Sequence, residues 1–262
     1  MLNESQMQQF HRDGFLCGSQ VLPADRVEVL REEMERVIRD HKKRDGRQPV
    51  LCANLTGREE EPVWQIVNIW QASEPFEQLV HEPQLAQEVA QLLSARELRL
   101  WHDQVQYKPA GIGGVNMWHQ DWPYWPILDR PQQVTAWVAL DDVDEENGCM
   151  SMVPGSHQWG NTIEFLHSLG GDFAAMPKLW DGHEIVVKTC PVKVGCVHFH
   201  HGLTWHGSNR NRSGRKRRAV ALHFMSQETR YQASGIHVMK QFVEVADGER
   251  LCGKRFPLVW PR

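Results

Sequence analysis

Apolar positions in the first third of the chain recur at helical spacing. Val27, Leu30, Met34, Val37 and Ile38 mark one face of a helix. Pro23 suits the first position of that helix, and Asp25 adds an acid to its first turn, where the dipole favours negative charge. The charged run from His41 to Arg47 ends it, and a polar loop comes next over 57–61. Residues 76–93 are helical again, with Leu85, Val89, Leu92 and Leu93 as the apolar set and Pro83 starting a second helix. From residue 97 the period changes. Short alternating or β-branched runs, broken by Gly, Pro and Asn, predict strands near 98–108, 116–121, 134–140, 150–153, 185–189, 194–200 and 217–226. Many short strands with long loops describe a sandwich or barrel with helices on its outside. No repeat and no flexible linker divides the chain. The expectation is one domain over 1–262, with 1–96 as mainly helical support and 97–262 as the β core.

Composition narrows the function classes. The net charge of −4 offers no global field for nucleic acid. No window approaches a membrane-spanning apolar run, and the polar opening MLNESQMQQFHRDG lacks a signal-peptide core. A cytoplasmic location with no membrane partner is therefore expected. The six cysteines form no C-x-x-C pair, which argues against zinc-ribbon and thioredoxin chemistry and leaves them as buried, inert thiols.

The candidate chemistry centres on Trp118-His119-Gln120-Asp121. On a strand, positions i and i+2 share a face, so His119 and Asp121 would present an imidazole and a carboxylate side by side. One more histidine would complete the two-His, one-carboxylate set that holds non-haem Fe(II) with open positions. The later segment HFHHGLTWHGS offers His198, His200, His201 and His206 for that place. Composition does not choose among them, although Gly207-Ser208 after His206 would let the backbone turn sharply. Gln120 points away from the ligands and suits a supporting hydrogen bond. Pro154-Gly155-Ser156-His157 reads as a turn from which His157 could approach the site.

A second signal lies in the basic run 210–218. Read plainly, such a run is a solvated loop. Alternation along the next strand, however, puts Arg217, Ala219, Ala221 and His223 on one face and Arg218, Val220, Leu222 and Phe224 on the other. The second face is apolar enough to pack on helices. The first would turn a guanidinium inward with room for a ligand, and a buried Arg needs an anionic partner such as a dicarboxylate.

These residues resemble the phytanoyl-CoA dioxygenase family of Fe(II)- and 2-oxoglutarate-dependent oxygenases. The resemblance runs through Gln9-Phe10-His11-Arg12-Asp13-Gly14-Phe15, the His119–Asp121 pair, Ala136-Trp137, Asn147-Gly148-Cys149-Met150, Val153 to His157, and His206-Gly207-Ser208 with Arg217 eleven residues after His206. It implies a mainly β fold with flanking helices, built on a double-stranded β-helix. It implies Fe(II) held by His119, Asp121 and His206, and 2-oxoglutarate and O2 as co-substrates. Arg217 and Ser208 would hold the distal carboxylate of 2-oxoglutarate, Trp137 would line its pocket, and Gln104 would lie against it. Halogenating relatives carry a small residue at the carboxylate position, so Asp121 implies oxygenation.

The aromatic residues Trp118, Trp122, Tyr124 and Trp125 cluster around the metal motif, interrupted by Pro123 and Pro126. Trp122, Tyr124 and Trp125, with Trp205 opposite, read as a mouth for a small apolar or ring-containing substrate. The expected activity is hydroxylation of a C–H bond with succinate and CO2 as co-products. The rival readings are a catalytically inactive protein of the same fold that senses 2-oxoglutarate or a metabolite, and a nucleic-acid module using the basic run.

Overall fold

The computed structural model describes residues 1–43 and 46–261; Arg44 and Asp45, inside the charged run expected to end the helix of Val27 to Ile38, lie outside the described residues, as does Arg262. Helix α1 (Glu4–Asp13) starts at Asn3, whose side chain and that of Gln6 cap each other's backbone N–H. It ends at Gly14, which has φ 81° and donates to Phe10 O. A Cβ at Gly14 would lie 2.4 Å from His157 Nδ1, so the close approach as well as the left-handed backbone requires glycine. Helix α2 (Ala24–Asp40) buries Val27, Leu30, Met34 and Val37, and Pro23 precedes it as the cap residue. Helices α3 (Glu74–Val80) and α4 (Pro83–Leu93) divide where proline predicted a new start. A short α5 (Ile163–Ser168) lies over the second half.

Fourteen strands are present among the described residues: β1 (Phe15–Gln20), β2 (Leu51–Asn54), β3 (Trp64–Val67), β4 (Leu98–Lys108), β5 (Asn116–His119), β6 (Gln133–Ala139), β7 (Met150–Met152), β8 (Leu179–Trp180), β9 (His183–Glu184), β10 (Lys188–Cys190), β11 (Cys196–His201), β12 (His206–Ser208), β13 (Arg217–Ser226) and β14 (Leu258–Trp260). The larger sheet runs β1-β11-β6-β13-β4-β3-β2, with β14 also on β4, and the smaller runs β10-β7-β12-β5. Every pairing is antiparallel, and the two sheets form the jelly-roll core of a double-stranded β-helix.

Two apolar layers explain this arrangement. Val220, Leu222 and Phe224 of β13, with Val134, Ala136 and Val138 of β6, pack outward against Leu30, Met34, Leu85 and Val89 of the helices. Each such Val, Leu, Met or Phe side chain, fully buried, contributes roughly 1.5–3 kcal/mol. Ala219 and Ala221 face the other way, with Trp137 and Ala139, onto Met150, Met152 and Cys190 of the smaller sheet. The alternation expected for β13 thus separates the helix-packed face from the interior.

The N-terminal 96 residues are not only helical. Strands β1, β2 and β3 join the larger sheet, and β1 pairs with β11 far along the chain. Burial along these three strands does not alternate cleanly from residue to residue, so their period-two signal is weak. The strand expected over 185–189 lies at Lys188–Cys190, and β5 stops at His119, short of Asp121. The cysteines are all unpaired, but only Cys149 and Cys190 are buried, and Cys17 is exposed. Among the described residues no helix is long and apolar enough to cross a membrane.

One core carboxyl sets a pH dependence. Asp103 is fully buried; burial raises its pKa to about 8 against the backbone N–H groups that favour the charge. The folded state therefore keeps a proton that the unfolded chain releases near pH 4, so this group's stabilisation is present below about pH 4 and is lost as pH rises through about 8. Asp103→Asn, which mimics the protonated acid, should melt above the parent at pH 8 and lose that advantage toward pH 4. Thermal melts across this range check it; an identical pH profile for the two proteins would contradict it.

Candidate metal centre and its pocket

Strands β5 and β12 lie side by side with His206 opposite His119, and their ring centroids are 4.1 Å apart. Asp121 is reached differently from the strand alternation expected. The strand has ended, and Asp121 has helical backbone (φ −75°, ψ −49°) at the entry to the tight turn Trp122–Tyr124. That turn brings Asp121 Oδ1 to 3.6 Å from His119 Nε2 and 3.5 Å from His206 Nε2. The three donor atoms lie within 4.8 Å of one another.

The supporting hydrogen bonds aim these atoms. His119 Nδ1 is 2.8 Å from Met117 O, and His206 Nδ1 is 2.9 Å from Thr204 O, in each case two residues upstream. A carbonyl only accepts, so both rings carry their hydrogen on Nδ1 and present a lone pair at Nε2. Asp121 Oδ2 accepts from Thr135 Oγ1 at 3.0 Å and from His200 Nε2 at 3.1 Å, which leaves Oδ1 toward the histidines. Burial would raise the Asp121 carboxyl, but His206, His119 and His200 outweigh it and hold it well below the usual carboxylate range. Burial and the neighbouring His119 push His206 well below its ordinary value, so it is neutral. Two imidazoles and one carboxylate on one side of a point are a donor set that fits Fe(II).

Gly207, between His206 and Ser208, serves a purpose other than the expected turn. A Cβ there would lie 2.9 Å from Phe173 Cε2 and 3.1 Å from Asn116 O, so glycine is needed for β12 to approach β5. Gln120 is fully buried; its Nε2 donates to Gly160 O and Leu203 O, and its Oε1 accepts from Thr162. His198 stacks on Phe15, and His157 lies beside His11, so neither joins the donor set.

The inner pocket is lined by His119, Asp121, His206, Gln106, Trp137 and Ser208, among others, and encloses about 10 Å³, room for about one water. A five-carbon dicarboxylate needs more room than this inner pocket alone encloses. Arg217 lies behind this lining, fully buried, with its guanidinium 4.9 Å from the Trp137 ring centroid. All three of its side-chain nitrogens are buried without a hydrogen-bond partner. Burial lowers its pKa only to about 10, so it remains charged. Such a cation is costly unless an anion meets it, and a carboxylate group fits. Opposite Arg217 in the register is Lys108, also fully buried, whose Nζ donates to Ser208 Oγ at 2.7 Å, Ser208 O at 3.0 Å and Asn209 O at 2.6 Å. Ser208 Oγ, already an acceptor, keeps its own hydrogen free to donate. Lys108 carried no signal in the sequence beyond its place on a strand.

Gln104 lines an outer cavity and not the inner pocket; Gln106, on the same strand face, lines both. The outer cavity encloses about 710 Å³ and shares Asn116, His119, Asp121 and His223 with the inner pocket. Tyr124 and Trp125 line it, but Trp122 and Trp205 do not. Trp122 packs into the cluster behind Trp125. Trp205 is fully buried among Trp159, Phe165 and Trp180, and its Nε1 donates to Thr162 Oγ1 at 2.7 Å. Aromatic count near a motif does not tell mouth from core, because both bury rings. The basic run is largely paired: Arg210 with Glu61, Arg215 with Asp144, Lys216 with Glu35, and Arg218 with Asp141 and Glu35.

Comparison with known proteins agrees with this geometry. The profile of phytanoyl-CoA dioxygenase (PhyH) matches residues 10–219. Peroxisomal phytanoyl-CoA dioxygenase of Rattus norvegicus is 24% identical, over 94% of this chain and 76% of its own length. Ectoine dioxygenase of Bordetella parapertussis is 29% identical, over 87% and 76%. Among solved structures, the non-heme alpha ketoglutarate dependent carbocyclase SnoK from nogalamycin biosynthesis has TM-score 0.81 and 25% identity, covering 98% of this chain and 96% of its own. EctD from S. alaskensis, solved with 2-oxoglutarate and 5-hydroxyectoine, has TM-score 0.69 and 21% identity, over 88% and 78%.

Variants separate the roles assigned to these residues. His119→Ala and His206→Ala should lose Fe(II) binding by calorimetry, whereas His200→Ala, which removes only a hydrogen bond to Asp121, should weaken it by roughly 10–100-fold. Retained binding in His206→Ala with complete loss in His200→Ala would reverse the assignment. Arg217→Ala should weaken 2-oxoglutarate binding by on the order of 2–5 kcal/mol with iron affinity nearly unchanged. Arg218→Ala should instead lower the melting temperature, since its partners are Asp141 and Glu35; equal effects of the two on 2-oxoglutarate would contradict the face assignment. With the family profile spanning most of the chain and the jelly roll carrying a His–Asp–His centre, this chain belongs to the phytanoyl-CoA dioxygenase (PhyH) family.

Proposed function

We propose that the chain is an Fe(II)- and 2-oxoglutarate-dependent dioxygenase that hydroxylates a C–H bond of a small organic molecule. The observation that carries this reading is the pairing of a His119–Asp121–His206 donor set with Arg217, a fully buried guanidinium lacking any hydrogen-bond partner, behind the same pocket. Iron held by His119, Asp121 and His206 would supply O2 activation, with 2-oxoglutarate oxidised to succinate and CO2 as one oxygen atom enters the substrate. Arg217 and the Ser208 hydroxyl, with Trp137 beside them, would hold the distal carboxylate of 2-oxoglutarate. Thr135 and His200 keep the Asp121 carboxylate turned so that one oxygen remains available. Retention of Asp121 supports hydroxylation over halogenation, because its carboxylate takes the place a halide would need.

The outer cavity would hold the substrate. Its lining mixes Leu51, Val67 and Trp125 with Gln65, Gln104 and several histidines, which supports a small substrate of mixed polarity within the apolar or ring-containing class that the aromatic run suggested. Succinate release from Fe(II)-loaded protein, measured across a substrate screen, tests the reading; binding of 2-oxoglutarate with no turnover on any substrate would favour a sensor.

The cavity wall makes a further prediction. Tyr124 is 47% exposed and its hydroxyl is 2.7 Å from His167 Nε2. Tyr124→Ala should spare 2-oxoglutarate consumption but lower the ratio of product to succinate, because a loosely held substrate loses its alignment. Trp205→Ala, a core truncation, should cost roughly 3–5 kcal/mol of stability and leave that ratio unchanged. Ratios and melting temperatures for both variants decide it.

A further inference from the structure

His102, His223 and His237 meet beside Trp125 on the wall of the outer cavity. His102 is 4.7 Å from His223 and 5.7 Å from His237 between ring centroids, and Trp125 is 4.8 Å from His223 and 5.6 Å from His102. None of the three belongs to the metal donor set. Burial lowers His237 to about 4 and His102 well below its ordinary value, so these two rings are neutral at pH 7.

Their hydrogens are assigned by their partners. Thr135 has one hydroxyl hydrogen and gives it to Asp121 Oδ2 at 3.0 Å. Thr135 Oγ1, 2.7 Å from His223 Nδ1, therefore accepts from that nitrogen. His223 Nε2 is left as a bare acceptor, buried and without a partner. His102 Nδ1 lies 3.3 Å from Asp103 O, so this ring too carries its hydrogen on Nδ1 and offers Nε2 as an acceptor. His237 Nδ1 accepts from Met239 N–H at 3.2 Å, so its hydrogen is on Nε2, a donor.

We propose that this wall is the substrate subsite, and that it takes an uncharged ring bearing neighbouring hydroxyl groups. Two hydroxyls would donate to Nε2 of His223 and of His102, one oxygen would accept from Nε2 of His237, and the ring face would lie on Trp125. His223 lines both the outer cavity and the inner pocket, so the hydroxyl it holds is the one nearest the metal donors. A purely apolar ring would leave His223 Nε2, already buried without a partner, with nothing to bond. The charged groups lining the cavity balance, Arg58 and Arg210 against Glu61 and Asp121, so the wall selects by hydrogen-bond pattern and not by net charge. The subsite deepens the dioxygenase reading and rests on it for any reaction of the bound ring.

The test is ligand-observed NMR titration of the full chain, free of metal, with trans-cyclohexane-1,2-diol, cyclohexanol and cyclohexylammonium as probes. The diol should bind about five-fold or more tighter than either other probe, the worth of one added hydrogen bond. His102→Phe, which keeps a ring but removes the acceptor, should abolish that preference, and His102→Gln should restore part of it. If His102→Phe fails to fold, His237→Phe at the cavity rim serves instead, with the diol again losing affinity. Equal binding of the diol and the ammonium, or a diol affinity untouched by both ring variants, would overturn the subsite. Succinate release from the iron-loaded protein is read separately. Diol selectivity without succinate on any substrate would keep the subsite and overturn the dioxygenase reading; succinate without selectivity would overturn the subsite alone.

Discussion

Imidazoles from positions 119 and 206 share one point in space because β12 lies antiparallel to β5 with His206 opposite His119. Much else in the molecule serves that register. Gly207 lets the strands approach where any side chain would strike Phe173 and the β5 backbone. The backbone carbonyls of Met117 and Thr204 then hold both rings in one tautomer, so their lone pairs converge. A slip of one residue would turn the two histidines to opposite faces of the sheet, and no repacking of side chains could restore the pair.

Charge inside the barrel is the second constraint. Arg217 and Lys108 are fully buried on neighbouring strands, and neither makes an ion pair among the described residues. Lys108 is relieved by three oxygen acceptors, while Arg217 has only the face of Trp137. Burial, with Arg217 nearby, pushes Lys108 well below its usual range. Keeping the Arg217 guanidinium buried without a hydrogen-bond partner costs stability there. The opposing electrostatics at Asp121, surrounded by imidazoles, keep the metal end of the same pocket anionic. The two ends therefore suit opposite ends of one arrangement: a cation held by the carboxylate and a dicarboxylate reaching back to the guanidinium.

The outer cavity differs in character from both. It is large, part apolar and part polar, and the groups nearest the metal donors are imidazole rings with defined acceptor and donor nitrogens. Such a wall discriminates by hydrogen-bond pattern more than by charge, because an unpaired buried nitrogen penalises a ligand that cannot reach it.

Local pattern by itself determined the helices α2 and α4, the long strands β4 and β13, and which face of β13 turns inward, since each depends on periodicity within one segment. It also presented His119, Asp121 and Arg217 as candidates, because a short motif and an inward guanidinium are both visible in the chain. Tertiary structure alone decided the rest. It set His206 against His119 and gave His200, another candidate, to the support of Asp121, a choice made by strand register between segments distant in sequence. It kept Tyr124 and Trp125 on the cavity wall beside three histidines, sent Trp122 and Trp205 into packed clusters, and put Gln106 deeper than Gln104, residues that share a strand face. It also recruited β1, β2 and β3 into the sheet. Periodicity reports which face of an element is buried; what lies against that face is a property of the packed chain, where partners from far along the sequence compete for the same space.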